Sequence, residues 1–110
     1  MAAAAGRVIE YTDGLDFEGL LADRRTYDAV VRNLEILGEA AGKVPQETRA
    51  LMPEIDFRRL GAMRNILAHV YFGIDDDILW DVISRHAPLV LRTVERFRLA
   101  ERGTTGNAGT

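Results

Sequence analysis

The amino-acid sequence predicts an all-α fold. Apolar residues recur at spacings of three and four through most of the 110-residue chain, and the period-two alternation of a half-buried strand is nowhere sustained. Asp13-Gly14, Gly42 with Pro45, and Gly73 punctuate these runs where helices should stop.

A first helix is expected over Ala2 to Tyr11, weakened by Gly6; its alanine-rich beginning reads as a truncated or tagged end. Asp16 can cap one or two helical turns that bury Phe17, Leu20 and Leu21. From Asp23 a long helix runs to about Gly42, with Tyr27, Val30, Val31, Leu34, Leu37 and Ala41 on its apolar side. A short helix or turn fits between Pro45 and Pro53, after which Asp56 caps a second long helix from Phe57 to Tyr71 or Phe72. Asp75, Asp76 and Asp77 place negative charge at the start of a last helix, Asp76 to Arg102, and need no metal to explain them. Pro88 removes a hydrogen bond inside that helix, so a kink or break is expected between Arg85 and Leu89. Residues 1–102 thus read as one domain, and 103–110 as a flexible tail with nothing to bury.

Composition narrows the function classes. Fourteen basic against seventeen acidic residues give a net charge of -3, which argues against a protein that coats nucleic acid by bulk electrostatics. Thirteen of the fourteen basic residues are arginine, a pattern open to codon bias as much as to phosphate recognition. Cysteine is absent, excluding disulfides, thiolate zinc sites and a cysteine nucleophile. The start of the chain is too short and too soon interrupted to act as a signal peptide or spanning helix, so a soluble, cytoplasmic protein without membrane contact is expected.

The stretch "GAMRNILAHVYFG", residues 61 to 73, puts an arginine, an asparagine, a histidine and a tyrosine into an otherwise apolar run. On a wheel of about 100° per residue, Leu60, Met63, Ile66, Leu67 and Val70 gather on a core-facing arc. Arg64, Ala68, Gly61, Phe72, Asn65 and His69 occupy the opposite arc, with Tyr71 at the border on the side of Arg64. A neutral histidine can move a proton near pH 7, an arginine can hold a phosphate through two parallel hydrogen bonds, and an asparagine can orient either. Those groups suit phosphoryl transfer; read by spacing alone, they also fit a solvated polar pair with a stray arginine. Glu35 and Glu39 lack an E-x-x-H partner or a third ligand, so neither metal nor cofactor is expected, and cleavage would use the 2′-hydroxyl of RNA as nucleophile. His86 reads as a structural or surface histidine, and Trp80 as core. Gly38, Ala41 and Gly42, like Gly61 and Ala68, allow close helix crossings, within one chain or between two.

Arg64-Asn65, His69 and Tyr71 resemble the R-x4-H-x-Y signature of the HepT family, a branch of the HEPN superfamily of helical domains. "DRRTYDAVVRNLEILGEAAGKVP" and "RNILAHVYFGID" extend the likeness over roughly residues 7 to 101; "MAAAAG" stands where a more usual amphipathic start would be. The resemblance implies an antiparallel bundle of about four to five helices, a homodimer, and a composite ribonuclease site at a shared cleft. It implies His69 as general acid or base, Arg64 as the phosphate-binding residue and Asn65 as its polar neighbour. It further implies a toxin of a type II or VII-like toxin–antitoxin module that cuts tRNA or mRNA. The implied partner is an MntA-like nucleotidyltransferase antitoxin that silences the toxin by attaching AMP to Tyr71. A different class stays open: a non-catalytic helical partner that binds a nucleotide on the same face and regulates the nucleotidyltransferase.

Overall fold

A computed structural model of the chain describes residues 1–63, 67 and 76–108, with side chains described as far as Glu101. Every regular element among them is helical, as the periodicity requires: α1 (Ala2–Thr12), α2 (Phe17–Ala22), α3 (Arg24–Gly42), α4 (Gln46–Arg49), α5 (Phe57–Gly61), α6 (Asp76–Asp81) and α7 (Ala87–Ala108). A π-helical turn, Val82–His86, joins the last two. None of the helices described is long and apolar enough to cross a membrane.

The alanine-rich start belongs to the core. Ala2, Ala4, Ala5 and Val8 are buried, and α1 packs against both α3 and α7. Small side chains on that face let three helices approach closely, so the alanine run serves packing rather than marking a dispensable end. Arg7 of α1 donates to Asn33 Oδ1 on α3 at 3.3 Å, and Asn33 Nδ2 donates to the Ala29 carbonyl at 2.8 Å. Asn33 is thereby the satisfied polar residue of an otherwise apolar contact. Gly14, with φ of 77°, turns the chain from α1 toward α2 in a conformation that a Cβ would oppose.

Two aspartates start helices as expected. Asp16 accepts from the Gly19 N–H at 2.7 Å; Asp23 accepts from both the Thr26 N–H (3.2 Å) and the Thr26 hydroxyl (2.8 Å). α3 then buries Tyr27, Val30, Val31, Leu34, Leu37 and Ala41 along one stripe, as its spacing predicts. At its other end Arg49 reaches back from α4, donating to the Val44 carbonyl at 2.9 Å and the Ala41 carbonyl at 3.3 Å, with its guanidinium over the Phe57 ring. A cation thus gives a further partner to carbonyls at and just beyond the end of α3.

Three departures from the sequence reading have local causes. The helix expected from Phe57 to Tyr71 or Phe72 is interrupted early: α5 closes at Gly61, Ala62 forms a turn, and Met63 is helical again. Gly61 has open space around it and low helix propensity, and nothing there resists the break. The distortion expected between Arg85 and Leu89 is present but begins earlier, as a π-helical turn over Val82–His86 in which the Ala87 N–H bonds to the Val82 carbonyl and widens the helix. Pro88 has no N–H to offer the preceding turn, and the wide turn spares its ring a clash. Finally, α7 runs to Ala108 rather than ending near Arg102, because a propagating helix gains one hydrogen bond per added residue even without burial.

Two measurements test this architecture. A methyl group on Gly38 would lie 3.2 Å from both the Leu60 carbonyl oxygen and Met63 Cβ. Gly38→Ala is therefore expected to destabilise the fold by about 1–3 kcal/mol, read from denaturant unfolding. The hydroxyl of Thr26, and then its N–H, hold the Asp23 carboxyl below its ordinary value. Such a group adds stability that is complete above its unfolded pKa and lost as pH falls through the lower folded one. Thr26→Val should raise the Asp23 pKa in an NMR titration and shrink the acid-side loss of stability.

Candidate functional site

Arg64, Asn65, His69 and Tyr71 lie outside the described residues, as do Ile66, Ala68, Val70 and Phe72 of the same wheel. What the structure places is the frame that holds the 64–75 stretch. Leu60, Met63 and Leu67 are buried, as the core-facing arc requires, while Gly61 on the opposite arc is exposed.

Both ends of the stretch are attached to α3. On one side Gly38 lets the backbone of α3 approach the Leu60 carbonyl and the Met63 side chain. On the other side the buried Tyr27 donates its hydroxyl to Asp76 Oδ1 at 2.7 Å, while the Arg24 guanidinium lies 4.2 Å from the centre of the Tyr27 ring. Tyr27 and Gly38 are eleven residues apart on one helix, about 16 Å along its axis at the standard rise. Leu60 and Met63, before the stretch, lie beside the later half of α3, and Asp76, after it, is bonded to the earlier half.

A second tie closes the frame across the stretch. Arg59 on α5 donates to Asp81 Oδ2 at 3.2 Å, and Asp56 Oδ1 accepts from the Arg59 N–H at 3.0 Å. Asp81 also lies 3.4 Å from Arg85 Nε and 3.4 Å from His86 Nε2, so one carboxylate gathers three nitrogen-bearing side chains at the π-helical turn. These groups are one-fifth to four-fifths exposed, so the cluster sets orientation more than it adds stability.

The other residues singled out from the sequence separate by role. Glu35 pairs with Arg32 on its own helix at 3.1 Å in solvent. Trp80 is half-buried with its ring 5.9 Å from that of Phe17. Of the small residues, Gly38 and Ala41 serve packing within the chain, whereas Gly42 and Gly61 face open space. No group of three His, Asp or Glu able to hold a metal ion occurs among the described residues. The sequence reading missed the two ties, Tyr27 to Asp76 and Arg59 to Asp81. Tyr27 reads as core and Asp76 as a helix start, and nothing in the spacing says that the two meet.

Comparison with known proteins gives this frame a context. A family model described as HepT-like, ribonuclease HepT-like, matches residues 1–97. A Thermococcus cleftensis protein named as a probable ribonuclease HepT is 38% identical over 98 residues, covering 89% of each chain. A Methanocaldococcus jannaschii protein named as a candidate RNase is 35% identical, covering 84% of each chain. Another so named, from Caldanaerobacter subterraneus subsp. tengcongensis, is 33% identical, covering 86% of this chain and 85% of its own. No solved structure matches.

Removing the hydroxyl of Tyr27 tests the frame directly. Tyr27→Phe should loosen α6 by about 1.5–3 kcal/mol, the range for a hydrogen bond to a charged group. Hydrogen exchange should accelerate across Asp76 to Asp81 while α1 keeps its protection.

Proposed function

The chain belongs to the HepT-like ribonuclease family, and from that premise we propose that it is a metal-independent endoribonuclease whose chemistry rests on Arg64, Asn65 and His69. The observation that carries this reading is the complete Arg64, His69, Tyr71 spacing inside the matched residues 1–97. His69 removes the proton of a ribose 2′-hydroxyl, the oxygen attacks the adjacent phosphorus, and the 5′-oxygen of the next nucleotide leaves with a proton. Arg64 binds the scissile phosphate and stabilises the charge that builds on its oxygens; Asn65 orients the pair. The product ends are a 2′,3′-cyclic phosphate and a 5′-hydroxyl, and substrates lacking the 2′-hydroxyl are not cut.

The finer reading is a homodimer that brings two motifs to a shared cleft and acts as the toxin of a type II or VII-like module on tRNA or mRNA. An MntA-like nucleotidyltransferase antitoxin attaches AMP to Tyr71, and the added phosphate and bulk oppose an RNA phosphate beside Arg64. The net charge of -3 favours one other reading, a non-catalytic partner that holds a nucleotide on this face and regulates the nucleotidyltransferase.

Matched expression of the wild type, His69→Ala and Arg64→Ala, with growth and RNA ends followed in the same cells, decides between them. On purified RNA, His69→Ala should lower cleavage about 10²–10⁴-fold and Arg64→Ala about 10²–10³-fold, and chelator should leave the wild type unchanged. Absence of toxicity and cleavage from well-folded wild-type protein would move the assignment to the regulatory partner. For Tyr71, an unchanged mass after incubation with the antitoxin and ATP would count against modification.

A further inference from the structure

The cluster at Asp81 holds more donors than its own carboxylate uses. Arg59 Nη1 lies 3.2 Å from Asp81 Oδ2, Arg85 Nε 3.4 Å from Oδ1, and His86 Nε2 3.4 Å from Oδ2. Each guanidinium is a fork of several N–H donors, and Asp81 meets each fork through one nitrogen. Arg59 has one further acidic neighbour, Asp56, whose Oδ2 is 3.9 Å from its Nε. Arg85 has no other ion pair among the described residues, and its side chain is 81% exposed. Arg58, next to Arg59, is exposed and joins none of these ion pairs. Three arginines against Asp56 and Asp81 therefore leave positive charge here, on a chain whose net charge is -3.

That charge sits at a defined place. Arg59 precedes Arg64 by five residues, whereas Asp81, Arg85 and His86 follow the far end of the 64–75 stretch, so the ion pairs span the neck of the segment that carries the motif. Arginine forks already oriented by a shared carboxylate lose little freedom when a second oxyanion binds. An RNA phosphate, whose unbridged oxygens accept without donating, matches such forks in shape and charge. A strand of RNA also carries phosphates beside the bond that is cut, and contacts to them position a substrate without reading its sequence.

We propose that Arg59 and Arg85, oriented by Asp81, form a subsite for a backbone phosphate of the RNA strand next to the one that is cut. The subsite positions the strand and takes no part in proton transfer. It rests on the ribonuclease reading for the identity of that strand.

A fluorescent single-stranded oligonucleotide with 2′-O-methyl riboses has no 2′-hydroxyl to attack, so it reports binding apart from cleavage. Its affinity for the full chain is followed by anisotropy against salt concentration, with the fold of each variant checked by circular dichroism. Arg85→Gln should lower the salt slope of log K by about 0.7, the share of one phosphate contact on a single strand, and weaken binding about fivefold at 0.1 M salt. Arg85→Lys keeps the charge and should keep the slope, while losing part of the affinity with the fork. Arg32→Gln removes an equal charge from an exposed arginine on α3 and should leave the slope unchanged. On a cleavable RNA of the same length, Arg85→Gln should raise KM and leave kcat unchanged. A slope untouched by Arg85→Gln, an equal loss with Arg32→Gln, or a wild type that does not bind the oligonucleotide would each overturn the subsite. Binding with the expected slopes but without cleavage of the RNA would support the subsite and count against the proposed chemistry alone.

Discussion

The closeness of α3 to the backbone around Leu60 and Met63 is the constraint on which the placement of the 64–75 stretch depends. It exists because residue 38 has no side chain. Where two helices cross with 3.2 Å between a would-be Cβ and a carbonyl oxygen, any larger residue forces one backbone away. Moving that backbone moves the entrance to the 64–75 stretch. The hydrogen bond from Tyr27 to Asp76 holds the exit. Between them, α3 acts as a ruler that sets how far apart the two ends of the 64–75 stretch are held.

The polar interactions around this frame are arranged for orientation. Asp81 is shared by Arg59, Arg85 and His86, and Asn33 by Arg7 and a backbone carbonyl. Each joins elements distant in sequence, at sites where apolar packing would allow sliding. Core stability comes instead from the stripe of α3 and the small residues of α1. Leu34 and Leu37 are fully buried there, and truncating such a side chain costs about 2–5 kcal/mol.

The π-helical turn before Pro88 connects the two halves of the design. A proline inside a long helix must be accommodated somewhere, and here the extra width falls on Val82–His86, beside the carboxylate that holds Arg59. The same residues that relieve Pro88 also present Arg85 and His86 to Asp81. Beyond the proline, α7 regains α-helical geometry, packs against α1 and runs to Ala108.

The sequence by itself determined the all-α fold, the caps at Asp16, Asp23 and Asp56, the buried stripe of α3, and the Arg64, Asn65, His69, Tyr71 pattern. Each of these is local: helical periodicity repeats every 3.6 residues, a cap acts over three, and the motif spans eight. Tertiary structure alone decided what happens between distant segments. The alanine start became core because α3 and α7 offer surfaces that small side chains fit. Gly38 became a crossing point while Gly42 and Gly61 stayed open, a difference no composition could reveal. Tyr27 met Asp76, forty-nine residues away, because the tertiary fold brings the start of α6 against α3. Side-chain pairing across such distances depends on helix orientation, which periodicity along one helix does not encode.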